Sequence, residues 1–302
     1  MKLTAMSIRK PLRTVLLALL PLLFAVAAGS PGPVRAQTNE ASRIVSIGGA
    51  VTETLYALGM DDRIVAVDTT SVFPPQAAEK PNVGYMRALS AEGVLSQSPD
   101  LVLMEEGAGP PQALDLLKSS GIAVETIPAG HGIAAIGQKF EAIAAAVGKP
   151  EAGKALAEDV EADLARLEAR LATIAPKKRV LFILSLVDGR PMAAGSDTAA
   201  DAMIALAGGV NVFASANGYK TVSAEAATEL APDVVVMMTG AGPNHDAADP
   251  FAIPALKATP AGQAGALIRM DAAYLLGFGP RTADAARDFA ARLYPEAIEP
   301  AK

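Results

Sequence analysis

The chain has 302 residues, is 51% hydrophobic, and contains no Cys, no Trp and two His, with 26 basic against 32 acidic residues for a formal charge of -6. That apolar fraction describes a folding chain of one large or two modest domains rather than a disordered one. The missing cysteines exclude disulfides, thiolate metal sites, thiol nucleophiles and a cysteine-linked lipid, two His cannot build a three-histidine zinc site, and no basic footprint for nucleic acid is present.

Residues 1–36 carry Lys2, Arg9, Lys10 and Arg13, then an apolar run from Val15 to Ala28 and a small-residue pattern ending Val34-Arg35-Ala36. This is the layout of a secretory signal peptide cleaved near Ala36. A membrane anchor fits less well, because Pro21 breaks the run and Gly, Pro and Ser follow it. Removing the leader takes away five basic residues (Lys2, Arg9, Lys10, Arg13, Arg35) and no acidic ones, so 21 basic face 32 acidic residues and the charge becomes -11. That disfavours anionic polymers and lipid surfaces as partners. An exported chain also lacks ready ATP, and no Gly-x-x-x-x-Gly-Lys loop appears.

After the leader, predicted strands at Arg43–Ile47, Ile64–Val67, Leu101–Met104 and Ala123–Ile127 alternate with helices at Thr52–Leu58, Ser90–Gln97 and Pro111–Ser119. This rhythm predicts an α/β lobe with a largely parallel sheet. Between Ile133 and Ile174 strand signals vanish, and the composition predicts a helix before Gly148 and a long one from Glu151 to Ala172, with Pro150 tolerated at its start. A coiled-coil partner helix is the alternative for this stretch, but its apolar positions are mostly Ala without a strict heptad. Further elements are predicted at Val180–Leu184, Thr198–Leu206, Ala224–Leu230, Val234–Met238 and Ala283–Leu293. The expected organisation is two βα lobes, residues 37–147 and 177–302, joined by a connecting helix over 148–176.

The two halves echo each other. Leu89-Ser90-Ala91-Glu92 leads to Ser98-Pro99-Asp100-Leu101-Val102-Leu103, and Val222-Ser223-Ala224-Glu225 leads at the same spacing to Ala231-Pro232-Asp233-Val234-Val235-Val236. Two related lobes facing one another create a cleft, a favoured place for a ligand. Just before the first copy lies Gly84-Tyr85-Met86-Arg87, and just before the second Gly218-Tyr219-Lys220. Such loops fall at the carboxyl ends of strands, where ligands bind. A phenolate is a hard ligand for ferric iron that a neighbouring cation favours, and Arg87 could instead pair with ligand carboxylates. Tyr85 could equally pack at the surface with its hydroxyl in water. Glu92 and Glu225 each fall in a first helical turn, where the helix dipole alone accounts for them; as a matched pair they could also face basic residues on a two-fold partner.

A catalytic set is not legible. Ser46, Ser196 and Ser223 lie near turns without a Gly-x-Ser-x-Gly elbow, which weighs against an exported hydrolase. His131 and His245 sit in glycine-rich or polar loops outside any ligand cluster. Gly48-Gly49 follows the first strand without a dinucleotide fingerprint.

The export signal, two βα lobes and helical connector resemble the helical-spine class of ABC-transporter substrate-binding proteins, and within it the periplasmic haem-binding family, over about Arg43 to Tyr294. The segments carrying the resemblance are Gly84-Tyr85-Met86-Arg87-Ala88-Leu89-Ser90-Ala91-Glu92-Gly93, Met192-Ala193-Ala194-Gly195 with Thr198-Ala199-Ala200-Asp201, and Tyr274-Leu275-Leu276-Gly277-Phe278-Gly279-Pro280-Arg281. Cobalamin binders of the class carry a Trp-containing loop where this chain has none. The resemblance implies a soluble periplasmic monomer, not an enzyme, that carries ferric haem b. It implies Tyr85 as axial ligand to the haem iron, Arg87 on that tyrosine or on the propionates, Tyr219 and Lys220 as haem contacts, and Glu92 and Glu225 as contacts to a membrane permease dimer with its cytoplasmic ATPase. Some relatives stack two haems using a histidine of the second lobe. Ser185 to Gly189 holds none, so His131 or His245 would have to substitute, and one haem is expected. A ferric siderophore or a corrinoid such as cobalamin is the alternative cargo.

Overall fold

The structure is a computed structural model describing residues 41–187, 189–240 and 248–301; the expected leader and His245 lie outside the described residues. The first lobe is a four-stranded parallel sheet of β1 (Ile44–Ile47), β2 (Ile64–Val67), β3 (Leu101–Glu105) and β4 (Ala123–Ile127) in the order β2-β1-β3-β4. β1 and the first four residues of β3 are buried, and so they read as unbroken apolar runs. On one face Val51 and Leu55 of α1 (Gly49–Ala57) and Ile143 of α4 (Ile133–Ala146) meet Ile44 and Leu103. On the other, Val94 of α2 (Ala91–Leu95) and Leu117 of α3 (Pro111–Ser119) meet Val45 and Val102.

The long connector is α5 (Pro150–Leu171), opened by Pro150. Its buried residues Ala157, Val160, Leu164, Leu167 and Leu171 alternate spacings of three and four, the stripe of a helix seated on a core. That stripe joins Phe140 of α4 and Phe289 of α11 (Thr282–Leu293), so the connector is part of the second lobe's core and also packs on α4. Gly137 and Gly153 let the two helices touch: a Cβ on Gly153 would come within 2.2 Å of the Ala144 methyl.

The second lobe holds β5 (Arg179–Val187), β6 (Arg190–Ala194), β7 (Val210–Asn211), β8 (Tyr219–Thr221), β9 (Val234–Thr239) and β10 (Leu267–Asp271), ordered β10-β9-β5-β6-β8 with β7 also on β5. β10, β9, β5 and β7 run parallel, while β6 and β8 add an antiparallel extension. Its helices are α6 (Ala199–Leu206), α7 (Ala224–Glu229), α8 (Pro254–Lys257), α9 (Pro260–Ala264), α10 (Ala272–Leu276) and α11. The sequence signals do not mark β6, β7, β8, β10, α8, α9 or α10. Pro191 and two alanines blur β6, and Arg269 at the centre of β10 interrupts what would otherwise be an apolar run.

Candidate functional site

A cavity of about 540 Å³ lies between the lobes, bounded almost entirely by segments that follow the carboxyl ends of strands, the place where α/β sheets bind ligands. Tyr85, Arg87 and Tyr219 all line it, so the structure brings both tyrosine loops to one cleft. The loop carrying Tyr85 is anchored from beneath. Val83, Met86 and Leu89 are buried in the first lobe's core while Tyr85, between them, is 47% exposed. The backbone fixes this alternation: Thr69 N–H donates to the Gly84 carbonyl (3.0 Å) and Gly109 N–H to that of Met86 (2.9 Å). Gly84 has φ +98°, a conformation that side chains rarely adopt.

The neighbouring loop at residues 68–72 is organised by Asp68, 1% exposed, whose carboxylate accepts from Gly48 N–H (2.9 Å), Thr70 Oγ1 (2.8 Å) and Ser71 Oγ (2.8 Å). Ser46 belongs to the same buried chain through Thr52 (2.6 Å), Ser223 caps α7, and Ser196 donates to the Ala216 carbonyl (3.0 Å). These are structural hydroxyls, each committed to a local partner. No group of three or more metal-binding side chains occurs among the described residues.

Two ion pairs reach the cleft, through Glu53 and through Glu105 and Lys139, and neither was legible from spacing. Arg281 grips Glu53 with both ends of its guanidinium (2.9 and 2.6 Å) and stacks on Phe73 at 3.6 Å. Lys139, 1% exposed, donates to Glu105 (3.0 Å) and to the Phe278 carbonyl (3.4 Å). Both contact sets join the first lobe to the Gly277–Arg281 loop of the second. His131, which the sequence places in a glycine-rich loop outside any ligand cluster, is half-buried on the cleft with its ring edge-on to Phe278 at 4.7 Å. Burial, then the positive charge of Lys139, lowers its pKa below the ordinary imidazole value. Burial raises that of Tyr219, against the pull of donors at Ala200 and Thr198.

Lys220 is exposed and is not among the cleft-lining residues; adjacent strand positions face opposite ways, so Tyr219 and Lys220 diverge. Glu92 and Glu225 are exposed in the first turns of α2 and α7. The backbone N–H of Glu225, then Ser223, holds its carboxyl below the usual range.

The sequence profile of the periplasmic binding protein family matches residues 44–274, which spans both sheets and the long helix between them. The chain belongs to the periplasmic binding protein family. Among solved structures it is similar to the periplasmic haem-binding protein BhuT in complex with two haems, with 40% identity and a TM-score of 0.78 over 83% of this chain and 97% of that one. The periplasmic haem-binding protein RhuT from Roseiflexus sp. RS-1 is 37% identical with a TM-score of 0.78, over 85% of this chain and 99% of that one. The vitamin B12-binding protein of Vibrio cholerae is 29% identical over 65% of this chain and 70% of its own length. One further curated relative is matched over 65% of its length, just under two thirds. The inter-lobe cleft, the parallel sheets and the intervening long helix are thus family architecture. Among the described residues no helix is long and apolar enough to cross a membrane.

Proposed function

We propose that this periplasmic binding protein captures ferric haem between its lobes and delivers it to an inner-membrane ABC permease with its cytoplasmic ATPase. The observation that carries this reading is the presence of Tyr85 and Arg87 together on the cleft, in a chain 37–40% identical to haem-binding proteins over nearly their whole length. A flat apolar ring with two carboxylates needs apolar cover, a hard oxygen donor for Fe(III) and a cation at its rim. Val72, Met238, Leu276 and Phe278 offer the cover, Tyr85 the phenolate oxygen, and Arg87 the cation, with Tyr219 a further contact from the second lobe. The reading includes export by residues 1–36, a soluble monomeric carrier, one haem per chain, and Glu92 and Glu225 as the docking pair toward the permease. No bond is made or broken in the cargo.

Similarity to vitamin B12-binding proteins at 28–29% identity favours a corrinoid as the second reading. Titration separates the two. Hemin added to the exported form should shift the Soret band with an end point of one equivalent, and Tyr85→Ala should lose or alter that spectrum. An unchanged hemin spectrum together with saturable cobalamin binding overturns the assignment, and an end point at two equivalents overturns the single-haem stoichiometry.

A further inference from the structure

The two lobes fasten the helices that carry Glu92 and Glu225 by the same set of contacts, and an arginine stands at the centre of each. Helices α2 and α7 have five and six residues, far too few to persist on their own hydrogen bonds. At the leading end of each a serine accepts from a backbone N–H at 3.2 Å: Ser90 from Gly93 and Ser223 from Ala226. Beyond the trailing end the chain reverses through a left-handed residue that is not glycine, Ser98 at φ 48° and Ala231 at φ 38°.

In the first lobe Arg43 donates from Nη2 to the Gln97 carbonyl (2.6 Å) and from Nε to that of Ser98 (2.8 Å). In the second, Arg179 donates from Nη2 to Leu230 (2.8 Å) and from Nε to Ala231 (3.3 Å). Each arginine is rooted in a central strand, Arg43 just ahead of β1 and Arg179 as the first residue of β5. An aspartate closes the motif reciprocally. Arg43 N–H donates to Asp100 (3.0 Å) while Asp100 N–H donates to the Arg43 carbonyl (3.0 Å); Arg179 and Asp233 repeat this at 2.8 and 2.8 Å.

These bonds lie at the surface, where hydrogen bonds and charges contribute little to global stability. An exposed arrangement repeated atom for atom in both lobes instead constrains geometry. It ties the turn that leaves each short helix to the sheet beneath, and with it the helix whose first turn carries the glutamate. We propose that Arg43 and Arg179 are matched positioning residues that present Glu92 and Glu225 as a rigid pair to a partner bearing two symmetry-related basic patches. This rests on the docking role given to the two glutamates above.

The test is a double-mutant cycle on the full exported protein loaded with hemin, read as affinity for the cognate permease–ATPase complex in nanodiscs. Arg43→Met and Arg179→Met should each weaken docking about three- to ten-fold, in the lower part of the range of coupling between residues in one network. Arg43→Met should add nothing to Glu92→Gln but its full effect to Glu225→Gln, and Arg179→Met the converse. Arg43→Lys and Arg179→Lys keep the charge and lose the two-pronged geometry, so they test the same point in variants that fold. They should weaken docking by an intermediate factor and leave the hemin end point unchanged. Full additivity of each arginine with its own glutamate, wild-type docking by the arginine variants, or parallel loss of hemin binding would overturn the proposal. Wild-type docking by Glu92→Gln and Glu225→Gln would overturn it through the docking reading, leaving haem capture untouched.

Discussion

Lys139 is the most demanding residue of the cleft, because a lysine is almost never fully buried unless paired. Its only charged partner among the described contacts is Glu105, which is 16% exposed in its side chain. Removing one member of such a pair leaves the other charge uncompensated, a loss of about 3 kcal/mol or more. Lys139→Met should therefore lower the urea midpoint strongly, and adding Glu105→Gln should restore part of the loss. Equal stability of single and double variants would show that Glu105 is not the charge left stranded. His131 adds a pH dependence whose sign follows from its depressed pKa. The unfolded imidazole titrates near the ordinary value of about 6.5 and the folded one below it, so the unfolded state binds more protons in between. Stability from this group is complete above that ordinary value and declines as pH falls through the lower folded value. Denaturation midpoints of His131→Gln should be flatter than wild type across that window; parallel curves would remove His131 as the source.

At the scale of elements, the connector depends on small residues where α4 and α5 cross. A side chain on Gly153 would strike Ala144 and the Phe140 carbonyl. Gly153→Leu should destabilise by roughly 1–3 kcal/mol, the cost of overpacking a filled interface, measurable as a drop in thermal midpoint, whereas Ala152→Leu at an exposed neighbouring position should change little. Elements that bury a continuous apolar run or follow a clear helical period were legible in the sequence: β1, β3, β9, α3 and α5 fall within a few residues of expectation. β6, β8 and β10 were not: β6 forms a hairpin with β5 but carries a proline and two alanines, while β8 and β10 take their identity from pairing with strands well separated in sequence. The candidate site divides along the same line. Tyr85, Arg87 and Tyr219 could be found from an internal repeat that marks equivalent loops. Glu53 and Arg281, 228 positions apart, become a pair only through the tertiary fold, and nothing local to Lys139, on a helix rich in alanine and isoleucine, names Glu105 as its partner.

Among the described residues the lobes are held at two separate junctions, and their combination bears on how the cleft opens. One is the apolar packing of α4 and α5, which ties the first lobe's last helix into the second lobe's core. The other is the Gly277–Arg281 loop, which sits on α1 closely enough that Gly279 approaches the Ala50 backbone and Arg281 closes on Glu53. The guanidinium also lies over the ring of Phe73 of the first lobe at 3.6 Å and over that of Tyr274 of the second at 5.0 Å. A planar fork suits both the bidentate pair and the stack, and an ammonium suits neither. A wide hinge would have to part this two-pronged ion pair and the ring contacts as well as the helical junction, so small lobe movements are the expected mode of opening. The absence of cysteine makes this directly measurable, since spin labels can be placed at Leu116→Cys and Lys257→Cys without background. The wild-type background should give a narrow distance distribution, Arg281→Met a broad one, and Arg281→Lys an intermediate width, because the lysine keeps charge but loses fork and stack. A distribution of unchanged width in Arg281→Met would show that the helical junction alone sets the spacing of the lobes and that the ion pair with Glu53 has no part in it.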